Sequence, residues 1–181
     1  MPDAPALRLP PWVDEIDEAV DAWWDRFRND PALDRLFYAA SAAGDFSAVW
    51  HAYNLGRLAT GAIDPRRAAR FALAIGAESL IVNQGLKRLF RRERPEHEVE
   101  RPLHLRTPST SSFPSGHASA AAMAVTLLNE RSRLRLVHAA LGGVVASSRI
   151  HVRIHHASDI LVGLAVGRVL AKAWQRAWPA G

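Results

Sequence analysis

The chain has 181 residues, 49% of them apolar, and 23 Lys and Arg against 18 Asp and Glu, a formal net charge of +5. That length and composition suit one domain with a substantial core. The absence of cysteine excludes disulfides, thiolate metal sites and cysteine nucleophiles, and the mild basic excess fits either a solvated surface or an anionic partner.

In chain order the pattern is helical. Residues 1–12, with Pro2, Pro5, Pro10 and Pro11, read as an irregular tail, and 13–181 as a single helical domain. The start has neither a basic stretch nor an apolar run, so no cleavable signal peptide is expected. Val13 to Arg28 is amphipathic, with Val13, Ile16, Val20 and Trp23/Trp24 on one side. Asp30-Pro31 reads as a helix cap followed by proline at the first helical position, opening a helix to about Ala43. Another helix is expected from Phe46 to Ala59. Asp64-Pro65 repeats the cap and opens a long helix to about Arg92. Glu96 to Phe113 reads as a loop, longer than most connections and placed as a wall or lid. Helices follow at Ser115–Asn129, Leu134–Ser148 and Ser158–Ala177. No stretch alternates as a strand does, and no Asn-Gly or Asp-Gly hairpin signal occurs.

A membrane span needs about 20 mostly apolar residues. Phe71 to Leu86 contains Glu78, Leu136 to Ser148 has only 13 residues, and Ile160 to Trp174 contains Arg168 and Lys172. Mean hydropathy is −0.08, low for a chain with several spans. Several of the six Trp fall near expected helix ends, as interface anchors do and as ordinary packing also allows.

Three clusters carry chemistry within 73 residues. The first runs from Lys87 to Arg94-Pro95. Proline disfavours helix at Arg94, so Arg94 is expected to turn back over the helix end toward Lys87, offering a fork and a point charge to one oxyanion. The second is Pro114-Ser115-Gly116-His117. Ser115 suits a helix cap, Gly116 a close backbone approach to an anion, and His117 a proton donor in the first turn. The third is Ser148-Arg149, His155 and Asp159. A carboxylate on one imidazole nitrogen frees the other for attack. His151, His155, His156 and Asp159 form a rival set of metal ligands, with cations crowding it. Each cluster alone also reads blandly: a basic helix end, a capping serine, an acidic first turn.

In this order and spacing the clusters resemble the tripartite signature of the type 2 phosphatidic acid phosphatase superfamily, over about residues 68–175. That group also includes bacterial acid phosphatases, glucose-6-phosphatases and vanadium haloperoxidases. The resemblance implies an all-α bundle of about five to seven helices with the phosphatidic acid phosphatase/haloperoxidase-like core. It implies hydrolysis through a phosphohistidine without metal or cofactor. His155 would be the nucleophile, Asp159 its orienting partner, and His117 the acid and then the base. Lys87, Arg94 and Arg149 would hold the phosphoryl oxygens, with Ser115 and Gly116 completing the cradle.

The implied substrate is a phosphate or diphosphate monoester, lipid- or prenyl-linked. The implied location is a membrane, integral with short helices; a soluble or peripheral cytoplasmic protein is the alternative. His151, Arg153 and His156 make the third cluster unusually basic, which suits a diphosphate or phosphosugar. A haloperoxidase would hold vanadate in the same site, and a non-catalytic phosphate- or phospholipid-binding module would need the same cations. Aromatic residues are not interleaved with the basic runs, so no nucleic-acid partner is expected.

Overall fold

Both Asp-Pro pairs open helices, and for the expected reason. Asp30 accepts from the N–H groups of Ala32 and Leu33 at 2.8 and 3.0 Å, and Asp64 from that of Arg67 at 2.9 Å. Proline follows each, at the position where a missing N–H costs no helical bond. The computed structural model describes residues 8–95 and 102–180, and among them the chain is helical with no strand. The helices are α1 (Pro11–Trp24), α2 (Pro31–Gly44), α3 (Ala48–Ala59), α4 (Pro65–Ser79), α5 (Gly116–Leu128), α6 (Arg135–His151) and α7 (Ala157–Ala177). The expected all-α bundle is therefore present.

Helix α5 is the centre. It is apolar nearly all round, as a helix packed on every side must be, and Ala118, Ala121, Met123, Ala124 and Leu128 are buried. Trp50, Phe71, Ile75 and Val145 pack about it from α3, α4 and α6. Helix α7 lies against α5 through small residues. A Cβ on Gly167 would collide with the Ser119 carbonyl, and one on Gly163 with that of Ser115. This close approach brings the first turns of α5 and α7 together, and the Ser115 N–H donates to the Asp159 carbonyl at 3.0 Å.

Four boundaries differ from expectation. Helix α1 begins at Pro11 and gives way to a 3-10 turn at Asp25–Phe27; residues 1–7 of the expected tail lie outside the described residues. The long helix expected to Arg92 stops at Ser79. A π-helical turn spans Leu80–Gly85, a 3-10 turn Leu86–Arg88, and residues 91–95 have no regular secondary structure. The wider turn re-aims Lys87 into the interior, where it is 7% exposed. Tertiary bonds then hold this segment: the Ser112 N–H donates to the Arg92 carbonyl and the Ser112 hydroxyl to that of Glu93, both at 3.0 Å. Helix α6 continues to His151, so Arg149 sits in its last turn rather than after it. Helix α7 is capped by His156, not Ser158, whose N–H and hydroxyl go to Asp17 instead. Of the expected 96–113 loop, residues 96–101 are outside the described residues.

No helix among the described residues is long and apolar enough to cross a membrane. Trp12 and Trp23 are exposed, Trp50 is fully buried, and Trp24 donates its indole N–H to His151 Nδ1 at 3.2 Å.

Candidate active site

His155 lies in the turn from α6 to α7, held there because its N–H and that of Ile154 both donate to the Arg149 carbonyl. Its Nδ1 is 3.4 Å from Asp159 Oδ2, and that same oxygen accepts from the His156 N–H at 2.9 Å. Asp159 Oδ1 accepts from Arg92 at 2.8 Å. Arg92 also donates to Ser158, Asp14 and Asp17 at 2.7 to 2.8 Å. One guanidinium thus ties α1 and α7 behind the histidine. The sequence alone does not single out Arg92, because its partners lie about 70 residues away on either side.

Electrostatics separate the members of this group. Burial presses upward on Asp159, but the bond and charge of His155, with Arg92, leave its carboxyl below the ordinary value. Burial drives His155 well below its ordinary value, with Arg149 and Lys87 adding to that and Asp159 opposing it. The imidazole is therefore neutral at physiological pH, with Nδ1–H toward the carboxylate and Nε2 as the unprotonated nitrogen.

Lys87, Gly116, His117, Arg149 and His155 line one cavity of about 280 Å³. Lys87 is pushed down to about 8, first by burial and then by Arg94 and Arg149. Arg149 is fully buried and donates to the Ser41 hydroxyl. Ser115 caps α5, accepting from the Ala118 N–H at 3.4 Å. The α5 N-terminus, with Gly116 first, opens on the cavity and offers N–H groups to an anion.

Three expected residues back this cavity without lining it. Asp159 and Ser115 lie behind His155 and Gly116. Arg94 does not turn back along its own helix. It crosses to the neighbouring loops, donating to the carbonyls of Ile154, Thr110 and Pro108 at 2.8, 2.9 and 3.1 Å. One of its nitrogens remains 3.5 Å from His155 Nε2.

Several residues at the site were not legible beforehand. Glu78 is 1% exposed, its Oε1 has no hydrogen-bond partner, and burial raises it to about 7 against the opposing effects of Ser119 and Lys87. Asn83, on the π-helical turn, abuts the start of α5 so closely that a Cβ on Gly116 would meet its Oδ1, and it donates to Ser79 Oγ at 3.1 Å. A π-turn in an otherwise helical run frequently marks a functional site, but the residue pattern does not announce one. Ser41 and Asp45 reach His117 from the end of α2.

The basic loop does not serve the cavity as its composition suggests. His151 stacks on Phe37 and bonds Asp34 at 2.8 Å. Arg153 pairs with Asp21 and Asp25 at 3.1 and 2.7 Å. With His151 engaged there, the set His151, His155, His156 and Asp159 does not converge, and among the described residues no three His, Asp or Glu side chains do. A larger groove of about 430 Å³ also reaches His155, but it is lined by Asp17, Glu18, Asp21 and Asp25, and its one arginine, Arg153, is already paired with Asp21 and Asp25.

The chain resembles known proteins in sequence pattern, in sequence identity and in fold. The PAP2 superfamily pattern matches residues 67–180. Decaprenylphosphoryl-5-phosphoribose phosphatase of Mycobacterium tuberculosis is 37% identical over 110 residues, 59% of this chain and 61% of that protein. The enzyme of the same name from Mycolicibacterium smegmatis is 34% identical over 128 residues, 69% and 68% of the two chains. The chain thus spans about three fifths of the Mycobacterium tuberculosis relative it matches. The transmembrane PAP2-type phosphatidylglycerolphosphate phosphatase of Bacillus subtilis superposes with a TM-score of 0.71 at 22% identity, over 92% of this chain and 86% of that one. LpxE of Aquifex aeolicus gives 0.71 at 22%, over 95% and 99%. These two share its fold.

Proposed function

This chain belongs to the PAP2 superfamily, and we propose that it is a phosphatase that hydrolyses a lipid- or prenyl-linked phosphate monoester through a phosphohistidine at His155. The observation that carries this reading is the shared cavity: a neutral His155, a second imidazole and two buried cations face one volume, with Asp159 behind the nucleophile.

His155 Nε2 attacks phosphorus as the ester P–O bond breaks, and the leaving oxygen takes a proton from His117. Water then attacks the phosphorus, giving a proton to His117, and the P–N electron pair returns to Nε2 as phosphate departs. Phosphoryl transfer needs mainly positioning and stabilisation of the equatorial oxygens. Lys87, Arg149, the first N–H groups of α5 and the nearby edge of Arg94 supply that charge.

The lining also bears on the substrate. Beyond the phosphate contacts it includes Glu78, Ser79, Asn83, Gln84, Ser47 and Thr110, with Phe46 and Pro108 as its apolar side chains. A prenyl chain esterified directly to the phosphate would find only Phe46 and Pro108 to pack on, whereas a polyhydroxylated alcohol would satisfy the more numerous amide, hydroxyl and carboxyl groups. The mycobacterial relatives are named for a prenyl-linked phosphoribose, which has both parts. The reading is therefore a sugar phosphate in the cavity with its lipid outside, at a membrane surface. Comparing kcat/KM for ribose 5-phosphate with butyl and farnesyl phosphates tests it. Ribose 5-phosphate is expected to lead by at least about tenfold, and Asn83→Leu to remove that lead. A lead for farnesyl phosphate would contradict the sugar assignment.

A further inference from the structure

We infer that Asp45 is a positioning residue for His117, so that the α2–α3 corner, outside the family-matched region, completes the acid half of the site. This rests on the reading of His117 as general acid.

The geometry begins with the ring. His117 Nε2 lies 3.1 Å from the Ser41 carbonyl oxygen and 3.3 Å from Asp45 Oδ1. A carbonyl oxygen can only accept, so Nε2 carries the hydrogen and Nδ1 is left for the transferred proton. The two histidines are then used in opposite senses. His155 presents Nε2 with Nδ1 held by Asp159, and His117 presents Nδ1 with Nε2 held by Asp45 and Ser41.

The corner is shaped for this contact. Gly44, the last residue of α2, lies so close that a Cβ would collide with His117 Cδ2. The next residues, Phe46 and Ser47, have φ of 52° and 58°. Two successive non-glycine residues in the left-handed region are strained, and such strain persists only where the surroundings hold it. That turn directs the Asp45 carboxylate back onto the ring while Phe46, 81% exposed, points out under the Arg106 guanidinium. Ser41 serves both halves of the site, its carbonyl on His117 and its hydroxyl on Arg149.

The charges agree. Burial pushes Asp45 up, but His117, Arg149 and Arg106 together leave it below its ordinary value, so it is ionised. Burial lowers His117, Asp45 opposes that, and Arg149 adds to it. The other ionisable groups on the same cavity are Glu78, Lys87 and His155. Losing the Asp45 charge leaves Arg149 unopposed, so the imidazolium should lose its proton at lower pH.

The test is Asp45→Asn, read by NMR titration of the His117 imidazole with inorganic phosphate bound, and by the pH profile of kcat. The His117 midpoint and the alkaline limb should both fall by about one pH unit. Turnover of an alkyl phosphate, whose leaving oxygen needs the proton, should fall at least about tenfold more than that of p-nitrophenyl phosphate. Asp45→Glu should restore part of both. An unmoved His117 titration would overturn the proposal, whether or not any ester is hydrolysed. An equal loss on both leaving groups would also overturn it. Failure of the phosphatase reading itself appears separately, as absence of turnover in the unaltered protein.

Discussion

Replacing Arg92 with methionine removes one guanidinium and strands two carboxylates. The side chains of Asp17 and Asp159 are 1% and 0% exposed, at 2.7 and 2.8 Å from Arg92. Asp14, the third partner, is 61% exposed and keeps its hydration. Breaking a buried pair by deleting one partner costs about 3–5 kcal/mol, because the remaining charge stays buried without compensation. For a domain of this size that is a fall in Tm of about 6–20 °C. The assay is thermal and urea unfolding at neutral pH, with Arg67→Met as control. Arg67 makes a 3.4 Å pair with Asp64 in which both side chains are exposed, and its loss should cost less than about 1 kcal/mol. The gap between Arg92→Met and the unaltered protein should narrow in acid. Arg92 helps hold Asp159 below its ordinary value, so its contribution is present above that value and disappears as Asp159 is protonated. An Arg92→Met protein within about 1 kcal/mol of the original would refute the view that this guanidinium neutralises the buried acids.

Two further outcomes follow from shifted ionisations. With no ligand bound His117 is lowered from its ordinary 6.5, so on the proposed mechanism kcat/KM should decline from a pH below that value, and KM should rise as Lys87 loses its proton near pH 8; a flat profile from pH 5 to 9 would contradict both roles. Glu78 is raised from 4.5 to about 7, so its favourable contribution is present in acid and lost as pH rises through 7. Glu78→Gln should therefore be more stable than the original by about 3 kcal/mol at pH 8 and by less than about 1 kcal/mol at pH 5, and a pH-independent difference would count against a buried, titrating carboxyl.

What could be read from the residues was local or periodic. Asp30-Pro31 and Asp64-Pro65 set helix starts through bonds within three residues, and both are present. The capping role of Ser115 and the proximity of His155 to Asp159 are likewise short-range. The break at Ser79 was not legible, because a π-turn is stabilised by what Lys87 and Asn83 reach once folded, and no residue type marks it. Arg92 and Asp45 escaped for the same reason: each acts on a histidine network through partners distant in sequence. The basic loop misled through composition alone, since Arg153 and His151 are neutralised by acids from α1, α2 and the turn after α1. Charge counted along a chain says little until the opposite charges are placed.

The most direct measurement of the central claim is rapid acid-free quenching of the enzyme during turnover of a phosphorus-labelled ester, followed by peptide mapping. The account predicts label on His155, stable to base and labile to acid, accumulating most in His117→Ala with p-nitrophenyl phosphate and absent from His155→Ala. Substantial turnover by His155→Ala, or label on any other residue, would contradict it.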